Sequence, residues 1–178
     1  MSSTSPSWRR INDLDLALCL RFNRVSHSRF WRELFRVVSR LGNGVFWYGL
    51  MLLLPLIHGV AALETVGRMA VVGIVGLALY KWLKTKTSRP RPCEVYAAIE
   101  AAAPALDRFS FPSGHTLHAV SFSIVAVASY PQLAPLLYPF ALLVALSRPI
   151  LGLHYPSDVL AGAGLGAALA WLVIAITG

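Results

Sequence analysis

The amino-acid sequence predicts an all-α integral membrane protein, a helical bundle with about five transmembrane helices preceded by amphipathic helices in the membrane interface. The first observation is composition: 56% of the 178 residues are hydrophobic and 13% are charged, against about 25% charged residues in an average soluble domain. The second is a mean hydropathy of +0.61. The third is a series of apolar stretches close to the ~20 residues that a helix needs to cross the hydrocarbon core.

The N-terminal part, residues 1–43, is predicted to be a polar tail followed by interfacial helices. Residues 1–10 are polar and expected to be frayed, and they lack the apolar stretch of a secretory signal. Residues 11–25 and 28–41 each gather apolar side chains on one helical face, and arginines occupy the opposite face of the second segment. Both segments carry too much charge to span a bilayer, so we expect them to lie flat on it.

Residues 44–178 are predicted to form the transmembrane domain. The five apolar stretches are 45–63, 66–84, 114–130, 133–149 and 157–177. An odd number of spans places the polar segment 85–113, the loop 149–157 and the N-terminal region on the same side of the membrane. Gly162 and Gly166 form a GxxxG pattern in the last span, which predicts close helix packing inside the fold.

The net charge of +8 is interpreted as basic residues that flank membrane helices and meet anionic lipid head groups. No nucleic-acid-binding motif accompanies the charge, so nucleic acid is not an expected partner. Cys19 and Cys93 lack CxxC or metal-ligand spacing. The sequence has no HExxH motif and no carboxylate cluster, and its polar segments are rich in cations, so we expect no metal and no cofactor.

Three short runs carry the polar chemistry. They are Lys84 to Pro92, Pro112 to His115, and Ser147 to Asp158. The first and third supply cations: Lys84 and Arg91 are seven residues apart, and Arg148 ends another span. Arginine can bind phosphate oxygens in a bidentate way, and lysine adds a point charge. Each cation taken alone is more often a membrane-edge residue whose charged end reaches the head groups. We interpret Lys86 and Arg89 of the first run, and Lys81 just before it, in that way.

The second run is Pro112-Ser113-Gly114-His115, immediately before an apolar stretch. Ser113 can cap the helix, Gly114 lets backbone approach a ligand, and the free N–H groups at a helix start bind anions. His115 would then stand beside a bound phosphate, where it could protonate a departing oxygen. A four-residue match of this kind is more often only a helix cap.

His154 and Asp158, in the third run, are four residues apart and can meet at the start of a helix. A carboxylate that accepts a hydrogen bond from one ring nitrogen fixes the tautomer and leaves the other nitrogen as a nucleophile. The simpler alternative is a helix-capping aspartate beside an interfacial histidine. Tyr155 and Trp47 are interpreted as aromatic residues of the membrane interface.

Taken together, the three runs resemble the three-part signature of the type 2 phosphatidic acid phosphatase (PAP2) superfamily over roughly residues 44–177. The signature is Lys-x6-Arg-Pro, Pro-Ser-Gly-His and Ser-Arg-x5-His-x3-Asp, and each part matches without a substitution. The resemblance implies that His154 attacks phosphorus, Asp158 orients it, and His115 protonates the leaving group and then activates water. It also implies a metal-independent reaction and a phosphate site formed by Lys84, Arg91, Ser113, Gly114 and Arg148.

Two features depart from the family pattern: a clear first span is absent, and the segment between the first two motifs is short. The side of the active site is open. Fifteen of the sixteen Lys and Arg residues fall on the motif side, with only Arg68 opposite, which favours the cytoplasm. The resemblance favours the outer face of a bacterial cytoplasmic membrane, and we lean to that side.

The expected function is hydrolysis of a lipid phosphate monoester or diphosphate at the membrane surface through a phosphohistidine. Phosphatidylglycerophosphate, phosphatidic acid and undecaprenyl diphosphate are candidate substrates, and membrane lipids are the expected surroundings. Two alternatives stay open: a phosphotransferase that uses the same histidine, and a non-catalytic lipid-binding or lipid-scrambling membrane protein. Oligomeric state is not predicted.

Overall fold

The computed structural model describes residues 6–178, with side chains from residue 12 onward. Of the tail predicted to be frayed, residues 1–5 lie outside the described residues, whereas residues 6–10 belong to a helix, so the prediction is wrong for them. The described part consists of helices and their connections, without a β-strand, which confirms the all-α prediction. Its helices are α1 (Pro6–Asn23), α2 (Arg29–Arg40), α3 (Phe46–His58), α4 (Ala62–Thr87), α5 (Pro92–Val95), α6 (Gly114–Ser129), α7 (Ala134–Ile150) and α8 (Pro156–Thr177).

Five of these helices, α3, α4, α6, α7 and α8, are apolar and lie at the predicted spans. Three stretches are long and apolar enough to cross a membrane, namely Arg29–Val95, Pro131–Ile150 and Pro156–Thr177, while α6 is apolar but shorter. The first predicted span is longer than its helix, because α3 ends at His58 and Gly59 follows with a φ of +67°. Exposed leucine and isoleucine side chains cover the outside of the helices, as a lipid environment requires.

Helix α6 is the centre of the bundle and packs against α4, α7 and α8. Leu117 and Val125 of α6 and Val144 of α7 are fully buried there. A Cβ atom at Gly162 of α8 would come within 2.5 Å of the Ser113 carbonyl oxygen, and Gly166 lies equally close to the backbone at Leu117. The GxxxG pattern therefore brings α8 against α6, which confirms the prediction of packing within the fold.

The N-terminal helices belong to the same bundle: α1 packs on α7 and α8, and α2 packs on α7. Phe35 and Val38 of α2 are buried, whereas Phe30 and Val37 are exposed, as expected for an amphipathic helix with one face toward the interface. A kink at Gly44, where φ is +125°, separates α2 from α3. The proposed division between residues 1–43 and 44–178 falls at this kink.

The polar connection between α4 and α6 and the loop between α7 and α8 meet at one end of the bundle. The Ala102 N–H donates to the Leu151 carbonyl (3.1 Å), and the Ser113 N–H donates to the Asp158 carbonyl (3.1 Å). The first bond joins the two connections, and the second joins the starts of α6 and α8. This end of the bundle carries all three sequence motifs, as the count of spans predicted.

Candidate active site

One cavity of about 370 Å³ brings the three motifs together. Its lining includes six of the eight predicted site residues: Lys84, Arg91, Gly114, His115, Arg148 and His154. The other two, Ser113 and Asp158, are fully buried behind that lining. Residues more than 60 positions apart in the chain thus share one site.

His154 lies in the loop before α8, and Asp158 lies in the first turn of that helix. The His154 Nδ1 atom is 3.7 Å from the Asp158 Oδ2 atom, slightly beyond hydrogen-bond length, and it has no other partner in the described structure. The His154 Nε2 atom is 3.5 Å from Arg91 Nη1 in the cavity. A small rotation of the imidazole would place an Nδ1–H on Asp158 and leave the Nε2 lone pair directed at the cations.

Burial lowers the pKa of His154 from its ordinary value to about 4, although the neighbouring Asp158 carboxylate acts in the opposite direction. Desolvation dominates because the imidazole is only 2% exposed. His154 is therefore neutral at pH 7. A neutral imidazole keeps the lone pair that nucleophilic attack requires.

The Asp158 carboxylate is held firmly by hydrogen bonds. Its Oδ2 atom accepts from the Tyr155 N–H (2.8 Å) and from the Ser110 hydroxyl. Its Oδ1 atom accepts from Arg89 Nη1 at 2.6 Å. These three donors fix the carboxylate in the orientation that faces His154, and they satisfy a charge that would otherwise be costly to bury.

Lys84 and Arg91 share one carboxylate that the sequence reasoning did not single out, Asp107. The Lys84 Nζ atom donates to Asp107 Oδ1 (2.9 Å), and Arg91 Nη2 donates to the same oxygen (2.6 Å). Arg91 also donates to the Leu153 carbonyl at 2.6 Å, which fixes the guanidinium next to His154. The sequence offered no local signal for Asp107, because the polar segment 85–113 also contains Glu94 and Glu100.

Arg148, near the end of α7, is only 2% exposed. Its Nη1 atom donates to the Ser39 hydroxyl at 2.5 Å. Its Nε atom is buried and has no partner among the described residues. A buried guanidinium with an unused donor is well suited to bind an anion.

The second motif caps α6 as predicted. The Ser113 hydroxyl accepts from the Thr116 N–H at 3.4 Å and lies 2.9 Å from the Thr116 hydroxyl. A Cβ atom at Gly114 would sit 3.1 Å from the Tyr80 ring, so a larger residue would be crowded there. His115, one residue further, lines the cavity. The predicted contact of Ser113 with phosphate stays a prediction.

Three sequence interpretations are wrong. Arg89 is not a membrane-edge cation, because it pairs with Asp158 (2.6 Å) and with Asp15 (2.8 Å). Tyr155 and Trp47 are not interface aromatics, because both are buried. The Tyr155 ring lies 3.9 Å from the Arg89 guanidinium carbon, and the Trp47 indole N–H donates to the Gly42 carbonyl.

The side chains from residue 12 onward contain no group of three or more His, Cys, Asp or Glu residues that could hold a metal ion. The cavity lining combines instead three histidines and four cations with one partly exposed carboxylate, Asp107. The expectation of a metal-independent reaction stays a prediction.

The PAP2 superfamily model matches residues 61–178, which is well over half of the chain. The chain belongs to the PAP2 superfamily. Among solved structures, this PAP2 protein is similar to LpxE of Aquifex aeolicus, with 25% identity and a TM-score of 0.79 over 91% of this chain and 95% of that one. A Bacillus subtilis PAP2-type phosphatidylglycerolphosphate phosphatase shows the same fold, with 24% identity and a TM-score of 0.77 over 94% and 86% of the two chains.

Sequence relatives are named as phosphatases of several lipids. Decaprenylphosphoryl-5-phosphoribose phosphatase of Mycobacterium tuberculosis is 32% identical over 58% of this chain and 56% of its own length, so this chain spans about half of that relative. Lipid A 4'-phosphatase of Bacteroides thetaiotaomicron is 28% identical over 91% of this chain and 76% of its own length. Undecaprenyl-diphosphatase BcrC of Bacillus subtilis is 34% identical over 51% and 46%.

Proposed function

We propose that this PAP2 protein is a membrane phosphatase that hydrolyses a phosphate monoester or diphosphate of a lipid. The observation that carries the proposal is the position of the His154 Nε2 atom, which shares one cavity with Lys84, Arg91 and Arg148. Three cations can neutralise a phosphate while an uncharged nitrogen attacks it. The names of the relatives and the match to the PAP2 model support the same chemistry.

The first half-reaction transfers the phosphoryl group to the enzyme. The Nε2 lone pair of His154 attacks phosphorus, and the bond from phosphorus to the lipid oxygen breaks. His115 donates its proton to that departing oxygen. Asp158 accepts the Nδ1–H of His154 and stabilises the positive charge on the imidazole of the resulting phosphohistidine.

The second half-reaction releases phosphate. His115, now without its proton, accepts one from a water molecule, and the water oxygen attacks phosphorus. The P–N bond to His154 breaks, which yields inorganic phosphate and restores the neutral imidazole. Both steps depend on the same cations, since charge on the equatorial oxygens must be stabilised throughout.

The lining of the cavity favours a lipid substrate. Besides the polar residues, its lining includes Trp47 and Tyr48 of α3 and Gly73 and Leu77 of α4. These residues lie on apolar helices that a lipid chain can contact from the bilayer, while the phosphate reaches the polar end. Phosphatidylglycerophosphate, phosphatidic acid and undecaprenyl diphosphate remain the proposed substrates.

The activity is tested with the purified chain in detergent and EDTA, by measuring phosphate release from each of the three lipids. We expect release by the wild type and loss of release, by three orders of magnitude or more, in His154→Ala, roughly as for removal of other catalytic nucleophiles. His58→Ala is the matched control, because His58 is exposed at the far end of α3. Full release by His154→Ala would overturn the mechanism, and transfer to an added acceptor without hydrolysis would identify a phosphotransferase.

We further propose that the site faces the outer side of a bacterial cytoplasmic membrane. Cysteines are introduced one at a time at Arg108 and Val60, which are exposed and at opposite ends of the bundle. The parent chain has serine at Cys93 and keeps the buried Cys19. In intact cells, a membrane-impermeant maleimide should label position 108 and not position 60. The opposite pattern would place the site in the cytoplasm.

A further inference from the structure

Arg89 lies between two buried carboxylates that come from opposite ends of the chain. Its Nη1 atom donates to Asp158 Oδ1 (2.6 Å), and its Nη2 atom donates to Asp15 Oδ2 (2.8 Å). Asp158 is fully buried, and Asp15 is only 4% exposed. We name this Asp15–Arg89–Asp158 arrangement the Arg89 bridge.

The Arg89 bridge also contacts the residues that connect His154 to α8. The guanidinium carbon lies 3.9 Å from the Tyr155 ring, and Arg89 Nη1 also donates to the Ser157 hydroxyl at 2.8 Å. Tyr155 follows His154 in the chain, so the bridge holds the loop that carries the nucleophile as well as the carboxylate beside it. A planar guanidinium is needed, because lysine cannot donate to two carboxylates from fixed directions while stacking on a ring.

Asp15 connects this arrangement to the N-terminal helix. Besides Arg89, it accepts from the Ser157 N–H (3.0 Å) and from the Ser157 hydroxyl. Ser157 is in the first turn of α8, so Asp15 binds α1 directly to the start of the helix that bears Asp158. Asp15 lies outside residues 61–178, the segment that the PAP2 model matches.

We propose that α1 is part of the catalytic apparatus, with Asp15 and Arg89 acting as positioning residues. Asp15 orients Arg89, Arg89 fixes Asp158, and Asp158 sets the imidazole of His154. Neither Asp15 nor Arg89 lines the cavity, so their contribution is to the chemical step and not to substrate binding. This inference rests on the proposed phosphatase function.

The test compares Asp15→Asn with Asp13→Asn, an exposed carboxylate on the same helix. We expect kcat to fall roughly tenfold in Asp15→Asn with KM nearly unchanged, because a small misplacement of a reacting group lowers the rate strongly. Asp13→Asn should match the wild type. A change confined to KM, or an unchanged kcat, would overturn the proposal.

A double-mutant cycle separates positioning from general stability. If Asp15 acts through Asp158, the Asp15→Asn substitution should have no further effect on kcat in an Asp158→Asn background. Multiplicative effects of the two substitutions would show an independent structural role and contradict the inference. Arg89→Lys keeps the positive charge but lacks the planar guanidinium that binds both carboxylates. It replaces Asp15→Asn in the same double-mutant cycle if Asp15→Asn does not fold.

The wild type and His154→Ala are measured in the same series. If wild-type activity depends on His154 but kcat is unchanged in Asp15→Asn, the proposed role of α1 is refuted and the proposed phosphatase function stands. Absence of wild-type activity on every lipid would remove the proposed function and this inference together.

Discussion

The two ends of the cavity differ in how completely the fold satisfies their charges. At one end, Asp158 accepts hydrogen bonds from Arg89, Tyr155 and Ser110, all within the protein. At the other end, Arg148 has Ser39 as its side-chain partner and a buried Nε without one in the described structure. The difference indicates that folding builds the nucleophile end, whereas the cation end retains capacity for an anion.

Asp107 differs from Asp158 in the same respect, because its ion pairs lie at the surface of the cavity. Its carboxylate bonds Lys84 and Arg91 but lies on the cavity surface, with 37% of its side chain exposed. A phosphate that binds these two cations must compete with Asp107. The hydrogen bonds of Asp158 therefore stabilise the fold, whereas a bound phosphate can replace those of Asp107.

At the cation end, the largest effect is expected for Arg148. Arg148→Ala should lower kcat/KM by roughly two to three orders of magnitude, as loss of one preorganised charge donor does in other active sites. Steady-state kinetics on the best substrate measures the effect, with Arg108→Ala as the exposed control. Activity within twofold of the wild type would show that Arg148 does not contact the phosphate.

The second prediction concerns the nucleophile end and uses the pKa of His154, which burial lowers to about 4. Between pH 6.5 and pH 4 the unfolded chain binds a proton at this residue and the folded chain does not, so acid should favour unfolding. The contribution is present in full above pH 6.5 and falls by about 3 kcal/mol as pH approaches 4.

Thermal unfolding in detergent at pH 7 and pH 4.5 measures this contribution. The wild type should lose more stability than His154→Gln, whose side chain does not titrate. Equal losses in the two proteins would mean that His154 is accessible to protons in the folded state.

The smallest effect is expected for Asp107→Asn. Removing the competing carboxylate should lower the inhibition constant of inorganic phosphate roughly two- to fivefold, since a partly exposed ion pair is worth at most about 1 kcal/mol. Competitive inhibition assays measure this change, and kcat should stay close to the wild-type value. Weaker phosphate inhibition would instead show that Asp107 holds Lys84 and Arg91 in their binding positions.

The motifs and the apolar helices were predictable because their signals are local. Spacing within one run identifies His154 and Asp158, and length with hydropathy identifies the helices. The count of spans was sufficient to bring the three runs to one end of the bundle. The end of α3 at Gly59 was less visible, because the apolar composition continues through the turn.

Arg89 shows where local reasoning fails. Arg89 and Arg91 each precede a proline in the same run, and no local feature separates their roles. Their difference comes from partners distant in sequence: Asp15 and Asp158 for Arg89, and Leu153 for Arg91. The burial of Tyr155 likewise follows from its contact with Arg89 and not from its position beside a membrane helix.

The central claim is that His154 attacks phosphorus and carries the phosphoryl group. The stereochemical course tests this most directly, with a lipid phosphate made chiral at phosphorus by oxygen isotopes and sulfur. Two successive displacements, first by His154 and then by water, each invert the configuration, so the account predicts net retention in the released thiophosphate. Net inversion would mean that water attacks the lipid phosphate directly, and it would contradict the account.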